Sequence, residues 1–364
     1  MIFKIKRIER KLEHSMLMLY KKKQWRRNAK HRIQKEGDRQ VLSSEQGSEI
    51  RAFYEKYTKL PGLEEHEFYT QKTGVYHKEY LPDWLYYSII DSTLNDWDAA
   101  LKIDNKVFYE SLFPNCRQPY CIAYRINNMW FSHDRKIISI EEVKNLISQE
   151  DTLFVKAATD SNGGHGVFRI SSEKDIVEEA VHAIGKIKQD IVIQRAIQQS
   201  EVLASINRSS VNTIRILSLL HNQEVIICSM LLRMGVGKAY VDNASSGGIT
   251  VGIREDGRLK DCAFDKEGNR FQVHPTSQIR FDTITIPNIE GIKALIKRLH
   301  PLLPYFRNVS WDIALDESDT PVLIEANMKD GELDFHQLNN GPLFGERTTE
   351  IIDEVFSINL KKKV

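Results

Sequence analysis

The chain is poor in cysteine and proline and has no long apolar run, and each scarcity removes a class of protein. Cys116, Cys121, Cys228 and Cys262 are its four thiols in 364 residues. They follow no zinc-ligand spacing and are too sparse for a disulfide framework. Ten prolines and an aromatic fraction of 9% exclude collagen-like and disordered compositions. No apolar stretch approaches the ~18 residues that a membrane-spanning helix needs. The most apolar stretch of the basic N-terminal region, Met16–Tyr20, is too short for the core of a secretion signal. The length is ample for two or three lobes. These features read as a soluble, cytoplasmic protein with reduced thiols.

Net charge is nearly absent too, at +1, but the balance conceals a segregation. Residues 1–35 hold 13 Lys and Arg against Glu9 and Glu13, a local +11 that leaves −10 on residues 36–364. Ile5, Ile8, Leu12, Met16 and Leu19 recur at spacings of 3, 4, 4 and 3, which is one face of a helix. Two readings fit such a basic amphipathic helix. It can lie on an anionic membrane, where each Lys or Arg adds about 1 kcal/mol, and so hold the protein at the inner face of the membrane. It can equally pack its stripe on the rest of the chain and leave the basic face in water. Nucleic acid is not expected as a partner, because the rest of the chain is acidic.

Residues 36–50 are polar with Gly and Ser and read as a linker or exposed loop. From Ile50 to about Ala100 the pattern is mostly helical, broken at Pro61-Gly62 and Leu81-Pro82, and crowded with Tyr76, Tyr80, Trp84, Tyr86, Tyr87 and Trp97. These aromatics fit either a core or a platform on which a sugar stacks. After about Asp151 strands alternate with helices. Residues 153–157 and 167–170 read as a hairpin around a glycine loop, and 191–197 as a buried strand. Further strands fall at 213–220, 225–234, 249–253, 310–316 and 321–327, with helices at 173–188 and near 288–300 and 346–356. The chain divides into a basic helix (1–35), a mostly helical region (36–103), a connecting segment (104–150) and two β-rich parts (151–198 and 199–360). No internal repeat is present. The class is α+β with antiparallel sheets rather than a doubly wound parallel one.

Two constellations carry chemistry. Lys156 lies on a strand, followed by Gly163-Gly164-His165-Gly166. Glycines let backbone N–H groups approach phosphate oxygens while a nearby cation balances the charge. No Lys-Ser/Thr follows, so this is not a P-loop, and a tight turn alone accounts for it equally well. The second constellation is Asp312 and Glu325, placed symmetrically about a turn at Glu317–Thr320 with Ser318-Asp319 at its tip. A symmetric hairpin opposes the two carboxylates with Cβ atoms about 5 Å apart, where like charges need a bridging cation. Asn327 falls on the same face. Three oxygen donors with apolar Ile313, Ala314, Leu323 and Ile324 beside them suit Mg²⁺ or Mn²⁺; an exposed edge hairpin with surface acids is the alternative. Arg215 and Arg233 end or interrupt apolar strands and each wants an anionic partner, from a ligand or from a structural ion pair. Asp242-Asn243 precedes Gly247-Gly248.

Taken together, these pieces resemble the ATP-grasp superfamily, most closely its sugar-transfer-associated branch found with bacterial surface-polysaccharide genes. The resemblance covers roughly residues 76–345. It runs through YLPDWLYYSIIDSTLN, DNK at 104–106, FVKA with NGGHGVFRI, VIQRAI, SVNTIRI, LLRMGVG with VDNASSGG, and WDIALD with PVLIEAN. It implies a nucleotide clasped between two antiparallel β lobes, 151–198 being the small lobe and 199–360 the large one. Lys106 and Lys156 would contact the triphosphate, and the loop with Gly163, Gly164 and Gly166 would close over its β and γ phosphates. The backbone of Arg195, Ala196 and Ile197 would meet the adenine edge, and Glu201 the ribose hydroxyls. Asp312, Glu325 and Asn327 would carry two Mg²⁺ ions. Arg215 and Arg233 would stabilise the transferring phosphoryl group and the acyl intermediate. Many relatives carry an acid where Gln194 stands.

The chemistry implied is carboxylate activation by ATP followed by attack of an amine, in which the protein supplies positioning and charge neutralisation. In a polysaccharide context the partners are a carboxylate-bearing sugar or polysaccharide precursor and an amine such as an amino acid, with a homodimer in keeping with the relatives. Sugar phosphorylation on the same fold and a non-catalytic ATP-binding scaffold are the alternatives. Residues 328–341, with Asp330, His336 and Gln337, are expected to line the acceptor pocket together with Asn243, Gly247 and Gly248.

Overall fold

Leu81-Pro82 and the glycines at 62 and 74 punctuate the first third of the chain into short helices, as the residue before a proline and a left-handed glycine both disfavour helix continuation. These are α1 (Ser44–Glu55), started by a Ser43/Gln46 capping box, and α2 (Glu64–Thr73), ended by Gly74 at φ 77°. Helix α3 runs from Asp83–Leu85 through a π turn at Tyr86–Ile90 into Asp91–Leu94, and α4 (Trp97–Ile103) follows it. In this computed structural model the described residues are 41–159, 166–171, 175–237, 239, 242 and 247–361, with 20, 23–25, 27–28, 30–31 and 33 from the basic segment. The stripe from Ile5 to Leu19 therefore lies outside the described residues. Among them no helix is long and apolar enough to cross a membrane.

A short helix α5 (Tyr109–Leu112) leads into the first sheet. Its strands are β1 (Cys121–Ile126), β2 (Met129–Ser132), β3 (Ile137–Ile138), β4 (Thr152–Ala157), β5 (Val167–Ser171) and β6 (Ile191–Arg195). They are antiparallel, in the order β3–β2–β1–β6–β4–β5. Helices α6 (Ile140–Ile147) and α7 (Ile176–Lys186) cover one face, burying Val143, Ile147, Ala180 and Ile184 against Leu153, Val155, Ile191 and Ile193. The boundary read at 150/151 does not divide this sheet, because β1–β3 from the connecting segment join strands from the small lobe. The hairpin that carries them turns on Asn127 and Asn128, both in left-handed conformation at φ 54° and 63°, which asparagine tolerates better than most residues.

After α8 (Glu201–Ile206) comes the second sheet: β7 (Thr213–His221), β8 (Glu224–Met234), β9 (Ile249–Ile253), β10 (Leu259–Phe264), β11 (Arg270–Phe271), β12 (Asn308–Leu315) and β13 (Pro321–Asn327). Its antiparallel order is β11–β10–β9–β8–β7–β12–β13. Helices α9 (Ile289–Leu299), α10 (Leu333–Asn340) and α11 (Thr348–Lys361) complete the chain. Helix α9 buries Ile292, Ile296 and Leu299 with Ile216, Leu232, Val251 and Trp311. Leu217 and Leu219 pack instead with Leu81, Leu85 and Ile90 of the helical region and with Ile351 and Val355 of α11. With both faces covered, β7 and β12 are buried along nearly their whole length, the pattern of an interior strand.

Backbone contacts tie the second sheet to segments that flank the first. The Ser200 amide donates to Leu315 O at 2.9 Å, and Gln199 bridges Asp316 just beyond β12. The Leu323 amide donates to Arg117 O at 2.9 Å, just before β1. On the first sheet's own side, the Lys106 amide donates to Ala158 O at 3.0 Å, just beyond β4. The fold is α+β, with two antiparallel sheets.

Candidate active site

The β12–β13 hairpin pairs Asp312 with Glu325 and Ser310 with Asn327, the register read from the sequence. The turn is one residue longer than the symmetric reading, with 317–319 between Asp316 and Thr320, since the Asp316 amide closes onto Thr320 O at 3.1 Å and Ile313 pairs with Leu323. Ile324 is the extra residue, a bulge beside Glu325 of the kind that re-aims a side chain. β13 is the edge strand of its sheet, but these are not simply surface acids: Asp312 is buried, and β12 is paired on its other side with β7.

Four cations converge on this pair. Arg215, opposite Asp312 on β7, donates through Nε and Nη2 to the two Asp312 carboxylate oxygens at 2.8 and 2.7 Å. Arg233 on β8 adds an Nη1 bond to Asp312 Oδ2 at 3.1 Å and lies 3.6 Å from Asp242. Burial would push the Asp312 carboxyl up, but the two guanidinium groups hold it at about 2. Lys106 Nζ donates to Glu325 Oε1 at 2.7 Å, so this residue touches the small sheet through its backbone and the large sheet through its side chain. Burial works against the Lys106 charge, yet Glu325 more than restores it, and its pKa is raised. Lys156 on β4 donates to Gln194 Oε1 on β6 at 3.0 Å. Burial, and after it the neighbouring Lys106 charge, push the Lys156 ammonium down to about 8.

The remaining expectations divide. Gly166, at φ 71°, closes the base of the β4–β5 hairpin by accepting the Ala157 amide at 2.9 Å; Gly163 and Gly164 lie outside the described residues, as does Asn243. Arg195 turns its side chain away from Lys156, as alternation requires beside Gln194, and clasps Glu150 through two bonds of 2.7 Å. Its amide is committed to Tyr120 O at 2.9 Å and that of Ala196 to Thr152 O at 3.1 Å. A base edge would therefore have to use carbonyls here, or the amide of half-buried Ile197. Glu201 opens α8 on the exposed surface, paired with Arg208 at 2.7 Å, and is not brought against the lysines. Gly247 and Gly248 lead into β9, where Thr250 pairs with Arg233.

Gln337 is a correction. It is completely buried, and its amide both accepts the Leu81 N–H at 2.8 Å and donates to Leu81 O at 3.0 Å. It splices α10 to the chain entering α3 and is no pocket contact. His336 is equally buried, with Nδ1 2.7 Å from Ser229 Oγ. Sequence reading missed Glu332, which bonds Arg215 Nη1, and Thr213, which bonds Asp242. The only signal for Glu332 was its place in Asp330-Gly331-Glu332, just beyond the hairpin.

The donor set fits a hard divalent cation. Asp312 and Glu325 offer carboxylate oxygens. Asn327 commits its Nδ2 to Ser310 O at 3.1 Å, which makes Oδ1 its ligating end. Ser310 Oγ beside it is buried without a hydrogen-bond partner. Among the described residues no three of His, Cys, Asp and Glu gather as a metal-holding group, so the site rests on two carboxylates and an amide oxygen.

The model of the sugar-transfer associated ATP-grasp family matches residues 90–353. A search of curated proteins gives no match. Among solved structures, D-alanyl-alanine synthetase A from Vibrio cholerae is 14% identical, covering 74% of this chain and 68% of its own at a TM-score of 0.44. VanG D-Ala:D-Ser ligase from Enterococcus faecalis is 12% identical over 70% of this chain and 61% of its own, with a TM-score of 0.41. L-amino acid ligase from Bacillus licheniformis is 13% identical over 70% and 48%, with a TM-score of 0.40.

Proposed function

The chain belongs to the sugar-transfer associated ATP-grasp family, and we propose that it is an ATP-dependent carboxylate–amine ligase. It joins a sugar uronate to an amino acid in the biosynthesis of a capsular or other surface polysaccharide. The observation that carries this reading is the opposed Asp312–Glu325 pair, clamped by Arg215 and Arg233 on one side and Lys106 on the other where the two sheets meet. A buried carboxylate opposed to a half-buried one and ringed by cations forms a site whose counter-ions can be exchanged for phosphate and metal.

In this reading Lys106 and Lys156 turn to the triphosphate oxygens. Asp312, Glu325 and Asn327 would hold Mg²⁺, two ions as the family resemblance implies, with Mn²⁺ as the nearest substitute. The metal supplies neutralisation of phosphate charge. A carboxylate oxygen of the uronate bonds to the γ-phosphorus as the bond from that phosphorus to the departing ADP oxygen breaks. The amine nitrogen then bonds to the acyl carbon, the carbon–oxygen bond to phosphate breaks, and a proton is released. Arg215 and Arg233 stabilise the charge on the phosphoryl and acyl groups, and no side-chain nucleophile takes part. The basic segment 1–35 brings the enzyme to an anionic membrane, near a lipid-linked acceptor.

The test is ADP and phosphate release from Mg-ATP with a panel of uronic acids crossed with amino acids, followed by mass spectrometry. Release that needs both partners, with a product one water lighter than their sum, supports the ligase. Release that needs the sugar alone, with a phosphate adduct, makes it a kinase. Nucleotide binding without turnover across the panel makes it a scaffold. Glu325→Gln is expected to lower turnover by about 10²–10³-fold while leaving the fold intact.

A further inference from the structure

Four cations (Lys106, Lys156, Arg215 and Arg233) and four carboxylates (Asp242, Asp312, Glu325 and Glu332) meet around this site, linked by charge or by direct bonds. Asp104 adds a further carboxylate beside Lys106, so the set holds no excess of positive charge. A nucleoside triphosphate with two divalent cations adds no net charge to such a set, but a substrate carboxylate adds one negative charge in a buried place. Uncompensated buried charge is strongly disfavoured, so one internal carboxylate has to give way.

The four acids are not held alike. Asp312 and Glu325 are fixed on central strands of a hairpin, and Asp242 is bonded by Thr213 as well as facing Arg233. Glu332 stands on a loop and is the most exposed of the four, its side chain 37% accessible against 6% for Asp312. The loop is strained. Asp330 and Glu332 are both non-glycine residues in left-handed conformation, at φ 56° and 47°, and such positions persist where function or surroundings demand them. Between them Gly331 approaches β12 so closely that a Cβ would lie 2.9 Å from the Ser310 Cβ. Arg215, by contrast, is immobilised: Asp312 holds Nε and Nη2, and the nitrogen left over, Nη1, is the one Glu332 takes.

We propose that Glu332 is a built-in surrogate for the carboxylate of the acyl substrate. It occupies the Nη1 seat of Arg215 and swings out on the 329–332 loop when a substrate carboxylate takes that seat. The ligand class is a carboxylate, or the acyl phosphate formed from it. This rests on the ligase reading for its substrate, while the seat itself can be tested without turnover.

The probe is ¹³C-acetate, the smallest carboxylate, titrated by NMR into the full-length chain at constant ionic strength with chloride as the competing anion. Glu332→Gln removes the charge and keeps the size, and Glu332→Gly adopts the same backbone without strain. Both are expected to bind acetate at least fivefold more tightly than the native chain. Asp98→Asn removes an exposed charge on α4 that has no bond to Arg215 and should leave acetate affinity within twofold of native. Equal acetate binding in the native chain and both Glu332 variants, including none in any, overturns the proposal, as does an equal gain in Asp98→Asn. Tightening without amine-dependent ADP release on the substrate panel keeps the seat and removes the ligase. Amine-dependent release by the native chain without tightening keeps the ligase and removes the surrogate.

Discussion

Lys156 shows how one neutral neighbour in a strand sets the working range of a cation. The amide oxygen of Gln194 stands 3.0 Å from Nζ and offers it no counter-charge. Burial and the Lys106 charge then prevail over the weaker pulls of Glu325 and Cys121, and the ammonium titrates near 8 instead of 10.5. Between those two values the folded chain binds fewer protons than the unfolded chain, so this group makes stability rise with pH across that interval. It also means that a triphosphate arriving at about pH 9 restores a proton to Lys156. Calorimetry of Mg-ATP binding at that pH, in two buffers of different ionisation enthalpy, is expected to show uptake of close to one proton. Gln194→Glu, which returns the carboxylate, should abolish the uptake. Identical heats in both buffers for the native chain would contradict this account of the lysine.

At the scale of elements, legibility depended on whether a residue's partner was near in sequence. Asp312 and Glu325 were readable because a hairpin's register follows from its turn, and a strand's alternation then places Asn327 on the same face. The Ile324 bulge was not readable, since no turn residue or glycine marks it; the three-residue turn between Asp316 and Thr320 shifts the register and creates it. Helix α10 misled for the opposite reason. Its polar sequence fits a pocket wall, but the side chains are used on distant backbone, Gln337 on Leu81 and Asn340 on Met230 O at 3.0 Å. Gln337→Ala would strand a buried donor and a buried acceptor at Leu81, at a cost of about 2–5 kcal/mol, while Mg-ATP affinity stays near native. Chemical denaturation together with nucleotide titration measures both, and an affinity loss without a stability loss would return Gln337 to the pocket. The C-terminal end of α10 rests on β9 at Gly252, where a Cβ would lie 2.8 Å from Asn340 Oδ1 and 3.2 Å from Asn339 O. Gly252→Ala is therefore expected to destabilise by about 1–3 kcal/mol through overpacking, read as a lower denaturation midpoint at unchanged slope.

At the scale of the whole molecule, the basic segment and the loop that carries Glu332 are physically connected. Trp25 stacks on Tyr87 at 5.5 Å between ring centroids, and Tyr87 Oη accepts the Leu333 amide at 3.0 Å, next to Glu332. Lys30 pairs with Glu64 at 3.3 Å, and Ile33 packs with Phe68, Tyr69 and Tyr80. Described residues of the second half of the segment thus pack on the fold, while the stripe from Ile5 to Leu19 lies outside the described residues. The apolar stripe lies in residues 1–19, whereas residues 20–35 carry +8 of the +11 charge. Removing 1–19 should leave an attraction to anionic vesicles that is electrostatic alone, and exposed charges act over only about 8 Å at physiological ionic strength. Cosedimentation of that truncation with anionic vesicles is expected to persist at 10 mM salt and to vanish at 150 mM, while the full chain stays bound at both. Removing 1–35 should abolish binding at either salt and also uncover Tyr87, lowering thermal stability where the shorter truncation does not. Vesicle binding that survives removal of 1–35 would place the membrane surface elsewhere on the molecule.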